Sequence, residues 1–431
     1  MTLLVVSPDY ASHVLPLATI ATAWHRAGER VVVATGPATA PLVRDFGFER
    51  RDLRLGRGSN PGVIRAEHQA RGEGDSLRGF FAATRRGMVE TLLFQADARA
   101  TDLLWRPVDK GRQVQRLVDR LRPDHVLVDH LAFSARLGLL AAGMPHGDVV
   151  LGHPTALPVG GELYGYPTTW PRAFHPGSEA LARLRERCLQ VRDSFTAEWN
   201  GALASLGGST VVADAFTAHG DVVLLNYPSL LHDPARTTML PPGHAFLGAA
   251  VRDEVTPPDV SRWLDAAGSE PVVHVSLGSF LSARGDVLAR LVTALRPLSV
   301  RVALATGSTD RAVLGDLPAS WLVREHLPQV AVLRRAALSV THGGNNSVTE
   351  ALACGVPLLV LPFSTDQFAG AAAVERAGLG EALDPNAAGP AELRSAVDRV
   401  LTGDPGGAAR ILAGTLRSPP GPARACAALG R

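Results

Sequence analysis

The chain has few cysteines and no long apolar run, and each shortage disfavours a class of protein. The three cysteines, Cys188, Cys354 and Cys426, are odd in number and far apart, with no C-x-x-C pair of the kind found in metal and redox sites. No apolar run reaches the roughly 18 residues needed to cross a bilayer, and the N-terminal MTLLVVSPDY lacks the basic start of a secretory signal. We therefore expect a soluble cytoplasmic protein without a membrane partner.

An excess of charge of either sign is also lacking. The formal net charge of the 431 residues is only +2, and Lys110 is the single lysine. Because the arginines are scattered among Asp and Glu and form no stripe, a nucleic-acid partner is disfavoured. With 46% hydrophobic and 19% charged residues, the composition is that of an ordinary globular protein, and the length suits two domains with separate cores.

The order of apolar runs predicts parallel sheets covered by helices. A predicted strand at 3–7, a helix at about 16–27 and a strand at 31–35 form an opening βαβ unit, which is typical of a doubly wound parallel α/β sheet. A second sheet is predicted to start at 271–275, after the pair Pro257-Pro258. The predicted limits are a first domain at 1–248, a linker at 249–259, a second domain at 260–403 and a tail at 404–431.

The stretch from His326 to Phe368 carries the most chemistry. A predicted strand at 338–341 leads through His342-Gly343-Gly344 into a helix that begins near Asn346. Unpaired backbone N–H groups and the positive end of the helix dipole make such a helix start a site for phosphate, and the glycines let a ligand approach closely. The sequence Ser347 to Glu350 is also a capping box, so these two side chains could serve the helix alone.

Other polar groups follow predicted strands. Asp366 and Gln367 come after a strand at 358–361, and Ser279 follows the strand at 271–275. Ser279 is placed to donate to a phosphate, although a plain turn is the alternative. Asp129 ends a strand at 123–129 and His13 lies in the loop after the first strand, so the two can meet at the carboxyl edge of one sheet. Such an Asp would leave the second imidazole nitrogen free to take a proton, although a lone loop His is more often structural.

Residues 326–367 resemble the nucleotide-sugar signature of the GT-B-fold, family 1 glycosyltransferases, which include plant UDP-sugar transferases and actinomycete antibiotic glycosyltransferases. The matching pieces are Pro328-Gln329, His342-x-Gly344, Asn346-Ser347, Glu350, Gly355-x-Pro357 and Asp366-Gln367. The resemblance implies two Rossmann-like domains that face each other across a central cleft, with the acceptor in the first and the nucleotide sugar in the second. It also implies that the tail crosses back to the first domain.

The same resemblance implies a catalytic pair. The segment Ser12 to Pro16 is similar to the family's G-H-V-x-P element, whose His is the general base toward the acceptor hydroxyl, with Ser12 in place of the usual Gly. His13 would be that base and Asp129 its partner. Residues 56–82 would form a flap over the acceptor, although an ordinary surface loop is equally consistent with the sequence.

The resemblance also divides the donor-binding residues by the part of the donor that each would contact. His342, the helix N–H groups, Ser347 and Ser279 would hold the diphosphate, Glu350 the ribose, and the pair at 366–367 the sugar. His326 stands where the family commonly has a Trp that stacks on the base, which leaves uracil, thymine and guanine open. The implied donor-binding residues are Ser279, His326, Leu327, Gln329, His342, Gly344, Asn346, Ser347, Glu350, Asp366 and Gln367.

The expected activity is that of an inverting glycosyltransferase that moves a sugar from a UDP- or dTDP-sugar to a small natural-product acceptor, with no metal and no cofactor required. The acceptor, the sugar and the oligomeric state, monomer or homodimer, stay open. Two other functions also stay open. The protein could be a non-catalytic GT-B relative that binds a nucleotide or helps another enzyme, or it could be a nucleotide-sugar epimerase. A glycoside phosphorylase is disfavoured because no lysine near the donor motif suggests a pyridoxal phosphate site.

Overall fold

Two parallel sheets with helices packed on them carry the chain. The computed structural model describes residues 1–65, 67 and 71–430. Short runs of valine, leucine and alanine form central strands buried on both faces, as parallel sheets require. All pairings between the named strands are parallel, which confirms the predicted pair of doubly wound sheets.

The first sheet holds seven strands among the described residues, in the order β3-β2-β1-β4-β5-β6-β7. These strands are β1 (Thr2–Val6), β2 (Arg30–Thr35), β3 (Glu49–Asp52), β4 (His125–Asp129), β5 (Gly147–Val150), β6 (Val222–Leu225) and β7 (His244–Phe246). The helices along this part of the chain are α1 (Ala11–Arg26), α2 (Ala40–Asp45), α3 (Arg71–Thr84), α4 (Met88–Asp102), α5 (Pro107–Leu121), α6 (Phe133–Ala141), α7 (Ser178–Ser205) and α8 (Pro234–Thr237).

The second sheet holds six strands in the described part of the chain, in the order β10-β9-β8-β11-β12-β13. These strands are β8 (Val272–Ser276), β9 (Arg301–Ala305), β10 (Leu322–Arg324), β11 (Leu338–Thr341), β12 (Leu358–Val360) and β13 (Gly380–Ala382). The helices of this part are α9 (Pro258–Asp265), α10 (Gly278–Leu281), α11 (Gly285–Leu295), α12 (Gln329–Leu333), α13 (Asn345–Ala353), α14 (Gln367–Arg376), α15 (Pro390–Thr402), α16 (Pro405–Leu416) and α17 (Gly421–Ala428).

Sequence patterns located the central strands better than the edge strands. The predicted strand at 338–341 is confirmed as β11, and the strands predicted at 3–7 and 123–129 differ from β1 and β4 by one or two residues at their ends. Strand β3 has the charged sequence ERRD and lies at the edge of its sheet, where half of its side chains are exposed. An edge strand needs no apolar run, so its sequence lacks the usual signal.

The chain connects the two halves twice: once before the second sheet and once after it. The chain runs through residues 249–257 from the first sheet into α9, and near its C-terminus α16 packs on α13 while α17 packs on α1 and β7. The predicted limits at 248, 260 and 403 stay predictions. In the structure, α17 of the tail contacts α1 in the first sheet's half. In the part of the chain that the structure describes, no helix has the length and apolar content to span a membrane.

Buried apolar clusters stabilise the sheets, and one of them joins Val150 and Leu225 of the first sheet to Leu358 of the second. Leu3, Leu17 and Trp24 are fully buried in a cluster between α1 and the first sheet, and Val273 and Leu288 are fully buried in the cluster of the second sheet. Each such side chain contributes about 1.5–3 kcal/mol relative to an exposed one. These rigid cores fix the positions of the strand ends from which the polar side chains project.

Candidate active site

The carboxyl ends of the two sheets lie against each other, and the predicted side chains gather at this junction. In the first sheet, His13 follows β1 and Asp129 ends β4. In the second sheet, Ser279 follows β8, His342 follows β11 and Asp366 follows β12. Ligands of open α/β sheets bind at such carboxyl edges, so the junction is the candidate site.

Two asparagines at the start of α13 tie the sheets together. Asn345 Nδ2 donates to the carbonyl oxygens of Leu151 at 2.7 Å and Asn226 at 2.9 Å, just beyond β5 and β6. Asn346 Nδ2 donates to the carbonyl oxygen of Ser12 at 2.7 Å. The helix begins at Asn345, one residue before the predicted start, and its first turn is held against the other sheet. The role of Asn345 was missed, although a pair of asparagines at a helix start was the available signal.

His13 and Asp129 form a hydrogen-bonded pair. The His13 Nδ1 lies 2.6 Å from the Asp129 Oδ2, and the Asp129 Oδ1 accepts from the backbone N–H of Leu131 at 2.8 Å. Asp129 is 1% exposed, whereas the His13 side chain keeps 25% of its surface exposed. The prediction that His13 lies in a loop was wrong, because α1 already begins at Ala11 and includes His13 in its first turn.

The surroundings of His13 make it a stronger base. Burial lowers the pKa of His13, but the charge and hydrogen bond of Asp129, together with the charge of Asp366, outweigh burial and raise the pKa above its ordinary value. An imidazolium formed at His13 would be stabilised by the same two carboxylates. The pair can therefore accept a proton at His13 Nε2, the ring nitrogen that does not contact Asp129.

Pro16 explains how the contact with Asn346 arises. Pro16 lies inside α1 and has no N–H, so the Ser12 carbonyl four residues earlier lacks its intrahelical donor. The Asn346 side chain supplies the missing hydrogen bond. The backbone next to His13 is thereby attached to the first turn of α13 in the second sheet's half of the molecule.

His342 is enclosed by two glycines. A Cβ at Gly278 or at Gly344 would clash with the imidazole ring, and Gly278 has a φ of +71°. Burial lowers the pKa of His342 to about 4. The ring is therefore neutral at pH 7 and can donate one hydrogen bond without carrying a charge.

The first turn of α13 is not capped by a side chain. Its N-cap is Gly344, and among the described residues no side chain caps the helix start. The capping box predicted at Ser347 and Glu350 was wrong, because the helix starts at Asn345 and both residues lie inside it. Ser347 is half-buried in the first turn. An uncapped helix start beside a neutral His is suited to an anion.

Ser279 is covered by a loop from the other half of the molecule. Ser279 lies in α10, and its hydroxyl accepts from Asn60 Nδ2 at 3.2 Å while its carbonyl accepts from the Ile64 N–H at 3.0 Å. This loop belongs to the segment predicted as a flap, of which residues 71–82 form part of helix α3 rather than a loop. Residues 66 and 68–70 of the segment lie outside the described residues. The flap role stays a prediction.

Glu350 is buried between two partners. Its Oε1 accepts from Arg252 Nη1 at 2.5 Å and its Oε2 accepts from Gln329 Nε2 at 2.6 Å. Burial raises the pKa of Glu350, and Arg252 and Gln329 offset this only in part. Arg252 comes from the chain between the sheets and also pairs with Glu254, which accepts from the Val330 N–H at the start of α12. Sequence analysis missed Arg252, and the charged run at 252–254 was its only signal.

His326 and Leu327 differ in exposure. The His326 side chain is 60% exposed, and a Cβ on Gly62 would lie 3.7 Å from its Nε2. Leu327 is partly buried against the cluster that contains Val260 and Val332. The exposed imidazole face is compatible with a stacked base, and the base-binding role of both residues stays a prediction.

Asp366 and Gln367 make contacts with different parts of the molecule. Gln367 is turned inward: its Oε1 accepts from the N–H groups of Phe363 at 3.0 Å and Ser364 at 3.2 Å, and its Nε2 donates to the Ser364 hydroxyl at 3.1 Å. The Asp366 Oδ2 accepts from the His153 N–H. A carboxylate has about four acceptor positions, so Asp366 retains capacity for ligand hydroxyls. Gln367 would have to give up contacts in its own turn to bind a ligand.

Comparison with known sequences places this site in a family. The family described as UDP-glucoronosyl and UDP-glucosyl transferase matches residues 188–405, which is just over half of the chain and includes the whole of α12, α13 and the turn before α14. The chain belongs to this family. The match covers the predicted donor-binding residues but not His13 or Asp129.

Two related sequences show the extent of the similarity. An NDP-glycosyltransferase of Bacillus licheniformis is 37% identical over 136 residues, which are 31% of this chain and 34% of that protein. A PGL/p-HBAD biosynthesis glycosyltransferase of Mycobacterium tuberculosis is 29% identical over 299 residues, which are 67% of this chain and 65% of that protein. The aligned parts thus span between a third and two thirds of these relatives.

Solved structures extend the similarity to the whole chain. The calicheamicin glycosyltransferase aligns with a TM-score of 0.67 at 22% identity over 100% of this chain and 98% of its own. A spinosyn rhamnosyltransferase complexed with thymidine diphosphate aligns with a TM-score of 0.69 at 22% identity over 100% of both chains. At this identity the similarity shows the fold, and the expected GT-B architecture is confirmed.

Proposed function

We propose that this family member is an inverting glycosyltransferase that uses a nucleoside diphosphate sugar and glycosylates a small natural product. The observation that carries the proposal is the His13–Asp129 pair, at 2.6 Å, lying across the junction from the uncapped start of α13. A base whose pKa is raised therefore lies opposite a site suited to an anion.

The proposed reaction is a single displacement. The acceptor oxygen attacks the anomeric carbon on the face opposite the diphosphate and loses its proton to His13. A bond from the acceptor oxygen to the anomeric carbon forms as the bond from that carbon to the diphosphate oxygen breaks, and the diphosphate leaves with the electron pair. Asp129 holds the ring orientation and stabilises the imidazolium. Attack from the opposite face inverts the anomeric configuration.

The leaving diphosphate would bind at the start of α13. Helix N–H groups, the neutral His342 ring and the hydroxyls of Ser347 and Ser279 offer hydrogen bonds to the charge that develops on it. Glu350 would accept from the ribose hydroxyls and Asp366 from the sugar hydroxyls. Ser279 can take this role only if the loop that carries Asn60 withdraws or shares the hydroxyl, because that loop contacts it in this structure.

Structural relatives support the chemical class of both substrates. Two of them were solved with dTDP or thymidine diphosphate, and a third structure contains a spinosyn aglycone. These ligands belong to those proteins, and they favour a thymidine diphosphate donor and a small-molecule acceptor for this chain, while the family description favours a uridine diphosphate donor.

Binding and release of nucleotide test the proposal. We expect UDP or dTDP to raise the melting temperature of the protein, because a ligand that binds only the folded state stabilises it. The corresponding monophosphate should raise the melting temperature less. With the matching NDP-sugar and a panel of phenolic and macrolide acceptors, the nucleoside diphosphate should be released. ¹H NMR of the product should show an inverted anomeric centre. Retention of configuration, or no stabilisation by any nucleoside diphosphate, would contradict the proposal.

A further inference from the structure

The turn that carries Asp366 contains a residue in an unusual backbone conformation. Thr365 has a φ of 51°, in the left-handed region, where a β-branched side chain is disfavoured. The turn connects β12 to α14. A non-glycine residue persists in this region only where its surroundings hold it, and such positions cluster at functional sites.

The contacts that hold this turn come partly from the other sheet's half of the molecule. The Thr365 N–H donates to the Gln95 Oε1 at 3.0 Å, and the Thr365 hydroxyl donates to the Asp366 Oδ1 at 2.9 Å. The other Asp366 oxygen accepts from the backbone N–H of His153. A Cβ on Gly152 would lie 2.6 Å from the Asp366 Oδ2, so this approach requires glycine there.

Packing of α4 determines where Gln95 lies. Met88, Leu92 and Gln95 have i, i+4 and i+7 spacing, so they share one face of α4. Met88 and Leu92 are buried in one cluster with Phe368, the second residue of α14, which is 0% exposed. The helix that carries Gln95 therefore shares a buried apolar cluster with the helix that follows the Asp366 turn.

We propose that Gln95 is a positioning residue for the sugar-binding turn, so that part of the donor-sugar selectivity is encoded in the acceptor half of the molecule. The proposal rests on the proposed function, in which Asp366 contacts sugar hydroxyls. Gln95 acts by holding Thr365 in the left-handed conformation and thereby setting the direction of the neighbouring carboxylate. The residues proposed to contact the diphosphate lie on other turns, after β8 and β11, so we expect their contacts to be independent of Gln95.

This separation predicts a selective effect. Gln95→Ala removes the acceptor for the Thr365 N–H, so affinity for the NDP-sugar should fall about three- to tenfold, the effect of one hydrogen bond, while affinity for the NDP alone stays unchanged. The ratio of the Kd values for two NDP-sugars that differ at one sugar hydroxyl should decrease by a similar factor. Gln95→Glu keeps an acceptor at the same place and should retain most of the NDP-sugar affinity.

A second substitution tests the backbone argument. Glycine adopts positive φ freely, so Thr365→Gly should need no partner to keep the turn. The loss caused by Gln95→Ala should therefore be smaller in the Thr365→Gly background than in the natural sequence. Asp97→Ala is the matched control, because Asp97 lies on the same helix with its side chain 65% exposed.

The experiment is isothermal titration of UDP, dTDP and the corresponding NDP-glucose and NDP-galactose into the natural chain, the four single variants and the Gln95→Ala/Thr365→Gly double variant, with urea unfolding to verify folding. A Gln95→Ala variant that loses NDP and NDP-sugar affinity equally, or neither, overturns the positioning role. If the natural chain binds neither the nucleotides nor the nucleotide sugars, the proposed function itself fails and the inference falls with it. If it binds them and the effects of Gln95→Ala and Thr365→Gly are additive, the backbone argument is wrong.

Discussion

Two hydrogen-bonded pairs at the junction, each with a buried carboxylate, are built in different ways. His13 and Asp129 both come from the first sheet's half, and the buried carboxylate leaves the His13 side chain partly exposed toward the junction. Glu350 belongs to α13 in the second half, and its partner Arg252 belongs to the connecting segment. In the first pair the ring keeps an open side for a substrate, whereas in the second both carboxylate oxygens already have protein partners.

The difference shows which part of the site is already positioned by the protein before a substrate binds. The proposed base has its tautomer and orientation set by contacts within one rigid sheet edge. The proposed ribose site depends on residues from two segments, so its geometry depends on how the halves are connected. Changes to the first pair should therefore affect turnover, and changes to the second should affect nucleotide binding and stability.

The largest effect is expected for Asp129→Asn. Asp129 raises the pKa of His13 and holds its ring, so turnover should fall by about 10²–10⁴-fold while the Kd of the nucleoside diphosphate stays unchanged. Because His13 must be unprotonated to act as a base, activity of the natural chain is lost as the pH falls through the raised pKa. Removing the carboxylate lowers that pKa, so the acid limb of the kcat/KM–pH profile should move to lower pH. An acid limb that stays in place would mean that another group sets it.

A smaller effect, on binding, is expected for Arg252→Ala. The substitution leaves the Glu350 carboxylate buried with Gln329 as its remaining partner, so we expect about tenfold weaker binding of the nucleoside diphosphate and about 2 kcal/mol lower unfolding free energy. Turnover at saturating donor should change little.

The matched control for Arg252 is Arg26→Ala. Arg26 pairs with Asp253 in the same connecting segment, but both side chains are mostly exposed, so its loss should cost well below about 1 kcal/mol. Calorimetric titration and urea unfolding of both variants provide the comparison. Equal effects of the two substitutions would show that Glu350 has no special need for Arg252.

The smallest effect is expected where the halves are joined at Ser12. Asn346→Ala removes the donor to the Ser12 carbonyl, and we expect about threefold lower kcat because His13 follows directly in the chain. Pro16→Ala restores an N–H that can bond the same carbonyl within α1. The penalty of Asn346→Ala on kcat should therefore shrink in the Pro16→Ala background. Additive penalties in this double-mutant cycle would show that the two residues do not share the carbonyl.

Sequence reasoning found what depends on strand ends and missed what depends on packing between the halves. His13 and Asp129 were predicted to meet because parallel strands end at one edge, and the distance of 2.6 Å between Nδ1 and Oδ2 agrees. Arg252 and Gln95 could not be found in this way, because neither residue lies at a strand end: Arg252 is in the connecting segment and Gln95 is within α4, and their partners lie 98 and 270 residues away in the chain. No local pattern records such contacts.

The errors in helix starts have local reasons. The sequence predicts that α1 begins at about Pro16, yet the helix begins at Ala11 and Pro16 lies inside it. The orphaned Ser12 carbonyl is satisfied from α13, which a local pattern does not reveal. The predicted capping box in α13 was wrong because the start of this helix was also misplaced. The helix begins two residues before Ser347, and its N-cap is a glycine.

We propose that His13 acts as the base in the transfer step and does not contribute to binding of the donor. The most direct test measures, on the same preparation of the His13→Ala variant, the Kd of the nucleoside diphosphate and the rate of its release from the NDP-sugar in the presence of acceptor. We predict a Kd within about twofold of the natural value and release reduced by at least about 10²-fold. Release at the natural rate would contradict the claim.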